Sequence, residues 1–398
     1  MTRPMAKGRC PGAYTPMESG DGLLVRVRPH LGHLEAEQAF GLAVSAQRHG
    51  NGVIDLTSRA NLQIRGVRES RHAALLRDLD DLGLLDPDPL LESRRNLVVA
   101  PTWCDGDDTM RVAESLTARL RELPELPPKF GFAIDAGPRP CLGSVSADIR
   151  VERAPFELDK VDEAASTRKL IVRADGASHG QPVTADRAVP AILALARWFV
   201  ESSGMAAGRM NRHLRSAVLP DSFTQCPPAA PAPPPEPGPI DPGADRKMSA
   251  YGVAFGQLQA QALEELLRKS KARSMRVTPW RLFLLEDEGP IRMAPFIYKP
   301  GHPLMTIDAC PGAPACASAT VDTRTLAIAL ADGFAAPNGS ANLHVSGCAK
   351  GCARTKAAAV TLVGRDGAFD LISNGCAWDP PQERGLTPSN LLGRYGTV

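Results

Sequence analysis

Apolar and polar positions along the chain fall into short alternating runs separated by stretches with helical spacing. Leu23-Leu-Val-Arg-Val27 alternates like a strand. Leu34 to His49 repeats its apolar residues at helical spacing and stops at Gly50-Asn-Gly, a helix C-terminal signal. Val53 to Thr57 and Leu62 to Gly66 predict two further short strands. The same order returns later in the chain. Gly252-Val-Ala-Phe predicts a short strand and Leu258 to Lys271 an amphipathic helix. Met275-Arg-Val-Thr and Arg281 to Glu286 predict two more strands.

The segments after each copy also correspond. A helix over Arg71 to Leu84 and a strand over Asn96 to Ala100 follow the first copy. A helix over Met110 to Glu122 and strands over Phe130 to Asp135 and Ser146 to Glu152 come next. After the second copy come strands at Leu304 to Ile307, Asn342 to Ser346 and Ala358 to Gly364, with a helix at Asp322 to Phe334. Leu56-Thr-Ser-Arg59-Ala-Asn-Leu-Gln-Ile also resembles Val277-Thr-Pro-Trp-Arg281-Leu-Phe-Leu. The chain therefore reads as two copies of one α+β unit, with sheets covered on at least one face. Between them lies Cys226-Pro-Pro-Ala-Ala-Pro-Ala-Pro-Pro-Pro-Glu-Pro-Gly-Pro. So much proline cannot form helix or central strand, which predicts an extended linker.

With 398 residues, 43% of them hydrophobic and 23% charged, the chain is globular and long enough for several domains. A formal net charge of +2 gives no bulk drive toward nucleic acid or membrane, so any preference for anions must come from local arginine clusters. No apolar run reaches membrane-spanning length and the N-terminus has no hydrophobic signal core, so a cytoplasmic location is expected.

The nine cysteines include two close pairs, Cys310-Pro-Gly-Ala-Pro-Ala-Cys316 and Cys348-Ala-Lys-Gly-Cys352. Only the second copy carries them, while Cys104 and Arg139 lie near the equivalent turns of the first. Buried structural thiols, a structural zinc and an iron–sulfur cluster are the three readings. Paired spacing in a chain without a disulfide framework favours metal ligation, and the x5 spacing is wider than zinc knuckles prefer.

The C-x5-C and C-x3-C pairs resemble those of the siroheme-dependent sulfite and nitrite reductases. That resemblance covers nearly the whole chain and implies their duplicated fold. It places a ferredoxin-like half-domain at 1–78, an α/β domain at 79–224, a linker at 225–247, a second half-domain at 248–303 and a second α/β domain at 304–398. It further implies a [4Fe–4S] cluster on Cys310, Cys316, Cys348 and Cys352, with Cys352 the one that would face siroheme iron.

Other stretches match the same family. Leu56 to Gly66, containing Arg59 and Arg65, resembles its tetrapyrrole-binding segment. Arg94-Arg95-Asn96 and Pro127-Pro128-Lys129-Phe130 resemble its active-site stretches, and Arg28 resembles another of its arginines. Arg28, Arg59, Arg95 and Lys129 are thereby the expected tetrapyrrole-binding residues. Guanidinium groups suit the task, because they stay charged and grip carboxylates bidentately. Arg68, Arg71 and Arg77 are expected to be ordinary surface residues. Two cations of the reductases are missing: Gly131 stands where they have a second lysine, and Asp55 where they have an arginine. Their loss weakens a site for reducing an oxyanion.

The opening, Cys10-Pro-Gly-Ala-Tyr to Leu24, is similar to that of the precorrin-3B synthases, the oxygen-dependent branch of this superfamily. This likeness implies a monooxygenase that hydroxylates precorrin-3A at C20 and closes a γ-lactone with the ring A acetate. It also implies a mononuclear non-haem iron, O2 as co-substrate and an external electron donor. His30 and His33, with Glu35 or Glu37, have the residue types of an iron-binding triad, but each is more simply a surface residue and none is assigned. No dinucleotide fingerprint is present, which fits a separate reductase. A siroheme-dependent sulfite or nitrite reductase and a zinc-stabilised binding protein are the alternatives.

Overall fold

The computed structural model describes residues 11–155, 170–241, 246–286, 289–334 and 342–396. Cys10, where the similarity at the chain's opening begins, lies outside them. The first half runs β1 (Met17–Ser19), β2 (Gly22–Val27), β3 (His33–Glu35), α1 (Ala36–His49), β4 (Val53–Leu56), β5 (Leu62–Val67), α2 (Glu69–Asp81) and α3 (Pro89–Arg94). It continues with β6 (Leu97–Val99), α4 (Asp108–Ala118), β7 (Phe132–Asp135), β8 (Ile149–Arg153), β9 (Leu170–Ala174), β10 (Gln181–Val183), α5 (Ala185–Glu201), α6 (Gly204–Ala207) and α7 (Met210–His213). The second half runs β11 (Gly238–Ile240), β12 (Met248–Gly252), β13 (Gln257–Gln259), α8 (Ala260–Ser270), β14 (Ser274–Val277) and β15 (Leu282–Glu286). Then come β16 (Asp308–Ala309), α9 (Arg324–Ala329), β17 (Leu343–Ser346), β18 (Ala358–Arg365), β19 (Ala368–Gly375), β20 (Glu383–Leu386) and α10 (Pro388–Tyr395).

These strands form four five-stranded sheets, ordered β1-β2-β5-β4-β13, β10-β9-β8-β7-β6, β11-β12-β15-β14-β3 and β16-β17-β18-β19-β20. The duplication read from the sequence is thus present strand for strand. In each α/β sheet the first three strands of the copy run parallel and the last two pair antiparallel.

The halves also exchange a strand. Residues 33–35 pair with β14, placing Leu34 opposite Met275, and residues 257–259 pair with β4, placing Leu258 opposite Ile54. Leu34 and Leu258 are fully buried, each in the sheet of the other half. Burying a leucine contributes roughly 1.5–3 kcal/mol, so each exchange ties the halves together with apolar area as well as ladder bonds. Helices α1 and α8 pack on each other over the same junction.

Several local expectations shift. The helix foreseen from Leu34 begins at Ala36, because Leu34 is drawn into the exchanged strand. Leu304 to Ile307 is not a strand: Pro303–Met305 is a 3-10 turn, and the strand is Asp308–Ala309. The helix expected over Asp322 to Phe334 is only Arg324–Ala329, followed by a separate 3-10 turn. The seventeen-residue helix α5, whose apolar side is buried, was not anticipated. The proline-rich run is extended but held. Ala229 and Ala232 donate to the carbonyls of Arg153 and Pro140, and the run ends in β11. Among the described residues no helix is long and apolar enough to cross a membrane.

The paired turns align one residue differently from the sequence match. Leu56 faces Leu62 as Val277 faces Phe283, so Arg281 corresponds to Ala60 and Trp280 to Arg59. Ala60 and Arg281 share left-handed backbones, φ 51° and 61°. Arg281 donates to the carbonyls of Met305 and Ile307, bolting its half-domain to the adjoining α/β sheet.

Candidate active site

The cysteine pairs sit where two neighbouring parallel strands end. Ala309 faces Val345 across β16 and β17, so Cys310 and Cys348 open adjacent loops at the C-terminal edge of the sheet. Ligands of open α/β sheets bind at such edges. Cys310 is buried, Cys316 and Cys348 are half-buried and Cys352 is exposed. The backbone N–H of Gly347 donates to Cys310 Sγ at 3.1 Å, tying the two loop starts together. A Cβ on Gly347 would stand 2.5 Å from Ala319 Cβ, so glycine is what lets the two loops close on each other. Thr323 Oγ1 donates to the Cys310 carbonyl and Ser346 Oγ to that of Cys348 (2.7 Å), which fixes both loop starts.

Among the described residues no three His, Cys, Asp or Glu side chains converge as a ready metal-binding group. The four thiols are nonetheless of the kind a soft metal centre takes, carried in pairs on two adjacent loops.

The first half lacks this set of cysteines. Asp135 faces Glu152 as Ser346 faces Val363. Gly137 therefore takes the place of Cys348, and Cys141 that of Cys352. Sequence spacing points to Arg139 near this turn and not to Cys141, because the match emerges only from strand register. Burial, then Asp135, pushes the Cys141 thiol up to about 12, so it stays protonated.

The four expected tetrapyrrole residues are neighbours. Arg28 and Arg95 line one small cleft together with Ala60 and Asn61, and Arg59 donates to the Lys129 carbonyl at 3.0 Å. The cleft measures about 10 Å³, room for a water at most. Its arginines are engaged within the protein. Arg28 is buried in an ion pair with Glu92, which also accepts the Ala13 N–H at 2.8 Å. Arg95 bonds Asp86 and the Arg28 carbonyl, each at 2.8 Å. A larger groove of about 590 Å³ lies at the α1–α8 junction, but glutamines and Glu265 line it and it offers a polycarboxylate no cation.

Both departures from the reductase pattern have local causes. Asp55 accepts from Arg65 at 2.8 Å, and Arg65 also holds Asp21. Gly131 donates to Asp148 at 2.9 Å, and a Cβ there would stand 3.1 Å from the Asn96 carbonyl. The backbone is thus pinned on both sides where the reductases carry lysine.

His30 and His33 line a second cavity of about 150 Å³ with Gln38, Trp103, Met110 and Glu114. Desolvation, then Arg95 for His30 and Arg276 for His33, holds both imidazoles below their ordinary range. Glu35 and Glu37 point to solvent and do not line the cavity; the carboxylate that does is Glu114.

Residues 15–82 match the family described as the nitrite/sulfite reductase ferredoxin-like half domain. The fold resembles the solved structure of Mycobacterium tuberculosis NirA protein, with a TM-score of 0.63 and 17% identity, covering 94% of this chain and 79% of that one. A ferredoxin–nitrite reductase of Synechococcus elongatus is 30% identical over 126 residues, 29% of this chain and 25% of that protein. The architecture is the duplicated nitrite/sulfite reductase fold. A precorrin-3B synthase of Sinorhizobium sp. is 32% identical over 422 aligned positions, 99% of this chain and 89% of that protein. The chain belongs to the precorrin-3B synthase family.

Proposed function

We propose that this enzyme hydroxylates precorrin-3A at C20 with O2 and forms a γ-lactone from the ring A acetate, in cytoplasmic, aerobic cobalamin biosynthesis. The near full-length identity to a precorrin-3B synthase carries this reading. One oxygen atom enters the macrocycle and the other leaves as water, with two electrons and two protons from an external donor. Cys310, Cys316, Cys348 and Cys352 would hold a [4Fe–4S] cluster, which would supply one-electron redox chemistry. A mononuclear non-haem iron is the family's oxygen site, and no residue here is assigned to it.

The protein's own contribution is binding. Lys129 is exposed and the half-buried Arg59 donates to its carbonyl, so these two cations are the ones offered to acetate and propionate groups, while Arg28 and Arg95 are paired with Glu92 and Asp86. Because the small cleft excludes the macrocycle, the substrate lies outside it, across Arg59 and Lys129.

Anaerobic purification with iron, sulfide and pigment analysis, followed by incubation with precorrin-3A and O2, tests the proposal. Iron and sulfide without pigment, and conversion to a hydroxylated lactone, are expected. Strong Soret-type absorption in the protein as isolated would instead establish a siroheme reductase, the reading favoured by the shorter nitrite reductase match. Stoichiometric zinc without iron or sulfide would establish a binding protein.

A further inference from the structure

The turn between β1 and β2 crosses from the first half-domain to the loop that carries Cys316. Ser19 Oγ donates to the Ala315 carbonyl at 3.4 Å and accepts from Arg65 Nη2 at 3.3 Å. Arg65 also grips Asp21 through Nε at 2.9 Å and Nη2 at 3.0 Å, so both shoulders of the turn are braced by one buried guanidinium. Gly20 lies between them. A Cβ on it would stand 3.1 Å from both Ala315 O and Ala317 N, backbone atoms that cannot swing aside. The second half-domain grips the matching loop of the first α/β unit, but with cations. Arg246 and Arg276 donate to the Trp103 carbonyl at 3.2 and 2.9 Å. Each half-domain thus holds the loop after the first α/β strand of the other half.

We propose that Ser19, Gly20 and Asp21, braced by Arg65, form a clasp that positions the Cys310–Cys316 loop and covers Cys316 from solvent. The inference deepens the proposed ligand role of the cysteine pairs and rests on it for its consequence, the protection of a cluster in an enzyme that works with O2. The clasp itself is geometric, so it can be read on the thiol alone. The sequence held no sign of it, because Ser19-Gly-Asp is an ordinary turn until the loop from nearly 300 residues away lies against it.

Gly20→Val and Ser19→Ala test it in the full chain. Each variant and the parent protein are purified anaerobically, assayed for iron and acid-labile sulfide, and then exposed to air while the visible absorption is followed. Separately, chelator-stripped protein is alkylated with iodoacetamide and the rates at Cys316 and Cys104 are read by mass spectrometry. Gly20→Val is expected to start with parental iron and sulfide, to bleach about fivefold faster, and to be alkylated at Cys316 about fivefold faster with Cys104 unchanged. Ser19→Ala should move both rates about twofold, and it decides alone if the valine variant does not fold. An unchanged Cys316 rate overturns the clasp, and so does an equal acceleration at Cys104, which would indicate general loosening. A parent protein without iron and sulfide would defeat the ligand reading, and the alkylation rates would still judge the clasp.

Discussion

Arg65 Nη1 lies 2.8 Å from Asp55, while the same guanidinium reaches Asp21. The position where the reductases carry an arginine is therefore not a bare negative charge facing substrate but half of an internal ion pair. The other half of the chain carries the opposite charges at the equivalent positions, without the direct pair: Arg276 donates instead to the Pro101 and Trp103 carbonyls. By strand register Arg276 stands at the place of Asp55 and Glu286 at that of Arg65, with Arg246 3.5 Å from Glu286. Burial works against the charge on Arg65, but Asp55 and Asp21 outweigh it and raise its pKa.

Removing Arg65 should therefore be a stability lesion first. Arg65→Ala leaves two largely buried carboxylates without their counter-charge and should cost about 3–5 kcal/mol. Arg65→Lys keeps the charge without the fork and should lose less. Urea unfolding midpoints measure both, and a loss under about 1 kcal/mol for the alanine variant would contradict the assignment.

Arg28 calls for a double variant. Arg28→Met strands the buried Glu92 and should destabilise by about 3–5 kcal/mol. Adding Glu92→Gln, which still accepts the Ala13 N–H, should restore most of that. Tetrapyrrole affinity that stays low in the stable double variant supports a binding role, whereas full affinity would make Arg28 purely structural. Arg59→Ala, at the rim, should keep its stability and weaken tetrapyrrole binding about tenfold in a fluorescence-quenching titration.

Two buried groups oppose each other in acid. Burial pushes Asp135 up to about 6, against N–H bonds from Leu142 and Cys141. The native state then holds a proton that the unfolded chain has lost, so stability falls as pH rises from about 4 to 6. Burial pushes His344 down to about 4, against Asp308. The unfolded chain then takes a proton that the native state refuses, so stability falls as pH drops from about 6.5 to 4. Each effect is on the order of 3 kcal/mol. Asp135→Asn, which can still accept from Leu142, should expose a stability that rises with pH over this range. His344→Leu should expose one that falls. Urea melts at half-unit pH steps would show these opposite slopes, and parallel slopes would contradict the pairing.

Cys348→Ala should abolish the low-temperature EPR signal of the reduced protein, because three thiolates hold a [4Fe–4S] cluster poorly. Cys141→Ser, at the equivalent of Cys352 in the other half, should leave that signal intact. A signal that survives Cys348→Ala would remove the cysteine pairs from the site.

Much of the fold was readable from local pattern. The α+β class, the duplication and most of the strands follow from residue alternation and helical spacing, which depend on neighbours only a few positions away. The cysteine pairs were equally plain, since ligand spacing is a property of one loop. Leu34 shows the limit. Its spacing continues the helix, yet its backbone pairs with Met275, some 240 residues distant. Leu304 to Ile307 failed for a related reason: apolar residues predict a strand, but Pro303 turns the chain before the ladder begins.

The arginines mark the same division within the site. Local sequence was sufficient to select Arg28, Arg59, Arg95 and Lys129, because a cation in a family-like motif needs no partner to be noticed. It could not say that Arg28 would be taken by Glu92, Arg95 by Asp86 and Asp55 by Arg65. Those pairings depend on which strands and loops of the first half come to lie against one another. Chain-local forces choose elements and motifs. Burial in the folded chain then selects the partner of each charge, since a desolvated ion must find its counter-charge wherever tertiary packing puts one.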